Sequence, residues 1–140
     1  MSKFKFFALA LVVLFTACNK EEVVDFSAYD LDVFPMSLDD SNWEINAIVM
    51  VSGFQTVEKD GKYEYKLTYS FNLKKPSGKV VNNAGSGTYA ESTTEKLKTV
   101  QLELQYETTE AETGDFIVEF VVKDEISGKT AKLEKPFQIK

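Results

Sequence analysis

The stretch Lys62–Lys74, KYEYKLTYSFNLK, decides the fold class of this protein. Aromatic and aliphatic residues occupy every second position, namely Tyr63, Tyr65, Leu67, Tyr69, Phe71 and Leu73. Polar residues fill the positions between them. A period of two places the apolar set on one side of an extended chain, as a half-buried antiparallel strand requires. The stretch therefore predicts a strand with one face in a core.

Similar alternation recurs on both sides of this strand, at residues 28–38, 43–54, 96–107, 116–123 and 130–139. Turn-forming residues separate these segments, and Asp60-Gly61 is a strong hairpin signal. Pro35 and Pro136 cannot donate to a strand ladder, so their strands are expected at sheet edges. The pattern predicts an all-β sandwich of six to seven strands. A lipocalin-like or other small β-barrel is the alternative.

Three local predictions accompany this assignment. Tyr29, Leu31 and Val33 are expected on one side of the first strand. Residues 82–95, NNAGSGTYAESTTE, are expected to form a loop or a short edge strand, with Ala84–Gly87 as a flexible connection. In the strand that begins at Trp43, Ile48 and Met50 make the second face partly apolar, which suggests a strand covered on both sides.

The segment 113–129, TGDFIVEFVVKDEISGK, resembles the penultimate strand and hairpin of immunoglobulin-like domains. The matching positions are Phe116, Val118, Phe120, Val122 and Asp124. Phe116 has no hydroxyl, so the tyrosine corner common in that family is missing, and no cysteine pair joins the sheets. The resemblance implies a single immunoglobulin-like antiparallel β-sandwich.

The N-terminus has the layout of a secretory signal peptide. MSKFK is basic, residues 6–15 are all apolar, and the small residues Thr16 and Ala17 precede Cys18. The apolar run is well short of the roughly 20 residues that a transmembrane helix needs. A buried core helix or an uncleaved anchor is the alternative.

The residues Leu14 to Cys18, LFTAC, resemble the lipobox of bacterial lipoproteins, with Phe15 where that family usually has leucine. The resemblance implies cleavage between Ala17 and Cys18, a diacylglyceryl group on the Cys18 thiol and acylation of the new amine. Two or more acyl signals give stable membrane attachment, whereas one gives only marginal binding.

A second resemblance follows the cysteine. Lys20, Glu21 and Glu22 are similar to the surface-export signal of Bacteroidota-type lipoproteins. The alternative is a solvated tether whose charges have no role. The predicted organisation is a signal peptide at 1–17, a lipidated tether at 18–28 and a β-sandwich domain at 29–140.

Composition excludes several classes of function. The formal net charge is −6, there is no histidine, and all 16 basic residues are lysines. An acidic chain without arginine is poorly suited to nucleic acid. Because histidine is absent, the usual base that activates a nucleophile is missing. Acidic pairs such as Asp39-Asp40 and Asp124-Glu125 fall in predicted turns, where carboxylates cap the turn or face water. Residues 30–32 or 38–42 could offer oxygen ligands to calcium, but neither matches an EF-hand loop. The chain is therefore predicted to be no enzyme, with no metal and no cofactor.

The resulting hypothesis is a lipid-anchored, surface-exposed binding or assembly lipoprotein of the outer membrane. Its expected partners are the membrane, through the lipid, and a protein or glycan that the sequence does not identify. Tyr63, Tyr65 and Tyr69 could form a binding stripe, although a core role is favoured because Leu67 and Phe71 share their face. The alternative function is a periplasm-facing inhibitor or immunity-type lipoprotein.

Overall fold

The structure, a computed structural model, describes residues 22–109 and 112–140. These residues form eight strands and no helix. The strands are β1 (Ser27–Ser37), β2 (Trp43–Ser52), β3 (Val57–Lys59), β4 (Lys62–Lys74), β5 (Val80–Thr93), β6 (Thr99–Thr108), β7 (Gly114–Asp124) and β8 (Thr130–Ile139). The all-β prediction is confirmed. The eighth strand is β3, whose three residues form the short arm of a hairpin.

The strands form two antiparallel sheets. Sheet 1 has the order β1-β2-β6. In sheet 2, β5 pairs with one edge of β4. Strands β3 and β7 pair with different parts of the other edge of β4, and β8 pairs with the far edge of β7. The division of β1, β2 and β6 from β4, β7 and β8 is that of an immunoglobulin-like sandwich. Pro35 and Pro136 lie in the edge strands β1 and β8, as predicted.

One core lies between the sheets. Its fully buried large side chains are Phe71, Phe116, Phe120, Ile45, Leu67, Leu73, Leu102, Ile139, Val49, Val51, Val118 and Val122. Apart from Asn46 in β2, which is buried, the residues that alternate with them along the strands are exposed or half-buried, so the period of two in the sequence corresponds to the inner and outer faces. Ile48 and Met50 are only half-buried because they lie on the outside of sheet 1, where no layer formed by the described residues covers them. The prediction that this strand is covered on both sides is therefore wrong.

A bulge in β1 corrects the prediction for Tyr29. The pairing of β1 with β2 shifts register between Tyr29 and Asp32, and Asp30 has a left-handed backbone with φ 53°. The inserted residue reverses the alternation. Leu31 and Val33 face the core, as predicted, whereas Tyr29 pairs with Met50 on the outer face.

Of the two alternatives for the glycine-rich segment, a loop or a short edge strand, the edge strand is correct, although it is not short. The flexible connection expected at Ala84–Gly87 is wrong. β5 runs for 14 residues and includes Ala84–Gly87, which the sequence predicted to be a flexible connection. Gly85 pairs with Phe71 and Gly87 with Tyr69. A Cβ on Gly85 would lie 2.8 Å from the Phe71 ring, and one on Gly87 would lie 2.8 Å from the Tyr69 ring. The glycines are thus a packing requirement of aromatic rings on β4.

The β3–β4 and β1–β2 turns each depend on an aspartate, the first through its backbone conformation and the second through its side chain. Asp60 and Gly61 both have positive φ, 53° and 75°, which is the pattern of a type I′ hairpin between β3 and β4. Asp39 caps the β1–β2 connection, where its Oδ1 accepts hydrogen bonds from the backbone N–H groups of Ser41 (2.9 Å) and Asn42 (2.8 Å). These bonds, with that from Ser41 the largest cause, lower the pKa of the Asp39 carboxyl.

Candidate functional site

The outer surface of sheet 1 is the candidate binding site. The strand registers arrange its side chains in four rows of three, one residue from each strand. The rows are Tyr29, Met50 and Gln101; Asp32, Ile48 and Glu103; Phe34, Asn46 and Gln105; and Met36, Glu44 and Glu107. We call these residues the sheet 1 outer face. It combines apolar, acidic and amide side chains.

The apolar part of this face is open to solvent. Tyr29, Phe34 and Met36 are 36%, 37% and 48% exposed. A groove of about 300 Å³ runs beside Phe34 and Met36 and is lined on its other side by Glu103 and Gln105. Adjacent exposed apolar residues with a polar rim are typical of an interaction surface, whereas isolated ones need no explanation.

Four polar side chains of the face form two hydrogen-bonded pairs. Asn46, only 7% exposed, donates from Nδ2 to Glu44 Oε1 at 3.0 Å. Gln101 donates from Nε2 to Glu103 Oε1 at 2.7 Å. An amide donor orients a carboxylate but leaves its charge in place. Because β1, β2 and β6 contain no lysine, the face is acidic as well as apolar.

The outer face of sheet 2 has a different character. A shallow depression of about 570 Å³ is lined mainly by the small hydroxyl side chains Thr68, Ser70, Ser86 and Thr88. At its edge, Thr68 donates to Glu125 at 2.6 Å, and this bond is the main cause that lowers the pKa of the Glu125 carboxyl. Tyr69 and Gly87 also line the depression, although the strand register directs the Tyr69 side chain to the inner face of the sheet.

The tyrosine stripe of β4 belongs to the interior. Tyr65 is 2% exposed and packs against Phe54 and Tyr89, with ring centroids 5.1 and 5.8 Å away. Tyr69 stacks on Phe120 at 6.0 Å. Burial is the main cause that raises the phenol pKa of both Tyr65 and Tyr69. The packing supports the core role that the sequence favoured for Tyr65 and Tyr69, whereas Tyr63 is half-buried and is not part of the core cluster.

Most of the residues predicted for lipidation, cleavage and export lie outside the residues that the structure describes. Ala17, Cys18, Lys20 and Glu21 lie outside the described residues. Glu22 is described and exposed, ahead of β1.

Neither segment named as a calcium candidate forms a cluster. In the described ranges 22–109 and 112–140, no group of three or more His, Cys, Asp or Glu residues could hold a metal ion. Asp30 lies at the bulge, and Asp32 Oδ1 accepts a hydrogen bond from the Val33 N–H at 3.0 Å. No helix within these same ranges is long and apolar enough to cross a membrane.

Comparison with known proteins finds similarity in structure only. No protein-family model matches the sequence, and no curated protein matches it significantly. A glycosyl hydrolase family 2 member from Bacteroides cellulosilyticus is similar over 81% of this chain and 14% of its own, with 6% identity and a TM-score of 0.59. A putative beta-galactosidase from Bacteroides fragilis is similar over 78% of this chain and 16% of its own, with 9% identity and a TM-score of 0.51.

A conjugative transposon lipoprotein from Bacteroides eggerthii is also among the structural neighbours. The match covers 80% of this chain and 95% of that one, with 19% identity and a TM-score of 0.29. The chain spans only a small part of the two hydrolases. At these identities the first two similarities show the fold alone, which is the immunoglobulin-like sandwich described above.

Sequence reasoning did not find the sheet 1 outer face. Its signals were present: Phe34, Met36, Ile48 and Met50 stand at outward positions, and three strands lack lysine. The strands concerned are far apart in the chain, however, and β6 follows β2 by almost 50 residues. Only the pairing of β6 with β2 brings their outer side chains together.

Proposed function

We propose that this protein is a lipid-anchored, non-catalytic binding or assembly lipoprotein of the outer membrane, displayed on the cell surface. Cys18 carries the lipid, Ala17 is the last residue removed with the signal peptide, and Lys20, Glu21 and Glu22 direct export. The domain presents its binding surface to a partner protein. The single observation that carries the binding role is the exposed apolar and acidic outer face of sheet 1.

The course of the chain supports this arrangement. β1 begins at Ser27 beside Ser52, the last residue of β2, so the tether enters at that end of the sandwich. The nine residues from Cys18 to Phe26, which precede β1, reach at most roughly 30 Å when extended. A tether of this length holds the domain near the membrane while leaving both outer faces open to other proteins.

The absence of catalysis rests on the chemistry of the side chains. The chain has no histidine, and the carboxylates of the sheet 1 outer face lie on an open surface that cannot exclude water. The two glycoside hydrolases share only a domain with this chain, which spans 14% and 16% of them. We therefore propose no glycosidase activity.

The alternative is a periplasm-facing inhibitor or immunity-type lipoprotein. The observation that favours it is the same concentration of acidic side chains on sheet 1, which would suit blocking a cationic site on an enzyme. The two functions differ in the side of the outer membrane that the domain occupies.

Protease treatment of intact cells tests the proposal. We expect wild-type protein to be digested, and a Lys20/Glu21/Glu22→Ala variant to be protected until the cells are lysed. The matched control is Glu58/Lys59/Glu64→Ala, which removes one exposed lysine and two exposed acids elsewhere and should be digested like wild type. Protection of all three proteins in intact cells would favour the periplasmic alternative. In the same cells, Cys18→Ser should abolish incorporation of labelled lipid, and a labelled variant would contradict the anchor.

A further inference from the structure

The distribution of charge between the two sheets indicates what kind of partner binds. On the sheet 1 outer face the charged residues are Asp32, Glu44, Glu103 and Glu107, all acidic. The outer side of sheet 2 carries lysines as well as acids, and Lys123 pairs with Glu125 at 3.4 Å. The negative potential is therefore concentrated on the face that also exposes apolar side chains.

We infer that the sheet 1 outer face docks a protein surface in which lysine or arginine side chains surround an apolar patch. This inference rests on the proposed binding function and adds the chemistry of the partner. Phe34 and Met36 supply the apolar contact, and the carboxylates of Glu44 and Glu103 flank the groove beside them. Positive charges around the partner's apolar patch would raise the rate of association and favour this partner over others, because they complement the acidic side chains here. The apolar contact provides most of the affinity.

Other occupants fit this face less well. A symmetric dimer formed through it would bring together two faces whose charged side chains are all acidic, which costs free energy. An anionic membrane surface would be repelled by the same charges. A cationic protein surface is instead attracted by each of the four acidic side chains. Its lysines or arginines would supply the positive charges that β1, β2 and β6 lack.

Site-specific photo-crosslinking in intact cells of the source organism tests the inference. The probe is p-benzoylphenylalanine in the full chain, in place of Phe34 on sheet 1 or of Thr88 on the outer face of sheet 2. We expect the probe at Phe34 to give a discrete protein adduct. The crosslinked partner peptide should contain lysine or arginine beside apolar residues.

Charge reversal then distinguishes charge-dependent docking from non-specific apolar binding. Glu44→Lys with Glu103→Lys should lower the adduct yield at least tenfold. Glu64→Lys with Glu134→Lys, the same change in net charge on the outer side of sheet 2, should leave it within twofold. Glu103→Lys alone, at an exposed position, gives an intermediate loss and guards against misfolding of the double variant. Exchanging the partner's crosslinked lysines or arginines for glutamate should restore capture by the reversed variant.

Several results would overturn the inference. An adduct of two copies of this chain, an adduct with lipid or glycan, or a yield unchanged by charge reversal would each do so. An adduct from the Thr88 position alone would keep the binding function and reject this face. No protein adduct from either position would reject both the inference and the proposed binding role.

Discussion

At the scale of single residues, Asp124 shows how one buried carboxylate can join distant parts of a chain. It is fully buried at the end of β7. Its Oδ2 accepts from the Gln55 N–H and the Ser127 hydroxyl, both at 2.8 Å, and its Oδ1 accepts from the Ile126 N–H at 3.0 Å. The same side chain thus caps the β7–β8 turn and holds the connection after β2.

We expect Asp124→Ala to lower the free energy of unfolding by about 3 kcal/mol, because it removes a buried carboxylate and leaves the three part-buried donors that bind it without their acceptor. Asp124→Asn should lower the free energy of unfolding by a comparable or smaller amount. The asparagine keeps one oxygen as an acceptor, but its NH₂ group must face at least one of the three donors. Urea denaturation followed by Trp43 fluorescence measures both.

The control for this prediction is Asp115→Asn on the same strand. Asp115 is exposed and accepts one bond, from Gln138 Nε2 at 2.6 Å. Its replacement should change stability by no more than about 0.5 kcal/mol. An Asp124→Ala variant as stable as the Asp115 control would contradict the role given to the buried carboxylate.

At the scale of elements, β5 shows a strand whose local sequence argues against its conformation. Glycine and serine weaken strands because they have little side chain to pack. Here the Phe71 ring covers Gly85 and the Tyr69 ring covers Gly87. The aromatic residues of the strongest strand therefore stabilise the weakest one across the ladder.

We expect Gly85→Ala to destabilise the protein by about 1–3 kcal/mol, because its Cβ would lie 2.8 Å from the fully buried Phe71 ring. Phe71 cannot move freely, since it also packs edge-on against Tyr106 at 6.2 Å. Gly87→Ala is the matched control and should cost less, because the Tyr69 ring that its Cβ would meet is half-buried, whereas the Phe71 ring is fully buried.

A double-mutant cycle with Phe71→Leu provides the decisive measurement for β5. The cost of Gly85→Ala should shrink in the Phe71→Leu background if the clash with the ring causes it. Equal costs in both backgrounds would assign the loss to the strand's conformation alone and would contradict the packing explanation.

At the scale of the whole molecule, the two sheets share a single core. The buried cluster contains residues from all long strands except β5, and Val81, Ala84 and Tyr89 of β5 pack against it. Since neither sheet can bury its inner face alone, the domain should unfold as one cooperative unit.

We therefore expect Trp43 fluorescence, which reports on sheet 1, and far-UV circular dichroism, which reports on both sheets, to give the same urea midpoint. Trp43 is the sole tryptophan of the sequence, so its signal has one source. In Asp124→Ala both midpoints should fall together, although the substitution lies in sheet 2. Separate midpoints in either protein would show that the sheets unfold independently.

Features encoded by neighbouring residues could be predicted from the sequence. The alternation of Lys62–Lys74, the Asp60-Gly61 hairpin, the edge positions of Pro35 and Pro136, and the two-sheet fold class all follow from local periodicity and backbone chemistry. The prediction for Tyr29 was wrong because a bulge depends on the partner strand. That for Ala84–Gly87 was wrong because composition does not reveal the rings that cover glycines.

By itself the sequence determined the strand character of most segments and the resemblance of Leu14 to Cys18 to a lipobox, because both depend on residues adjacent in the chain. Only the tertiary structure decided that β5 is a strand, that Asp124 bonds with Gln55, and that three lysine-free strands form one acidic, apolar face. Each of these depends on which distant segments pair, and pairing is selected by the common core between the sheets rather than by any local pattern.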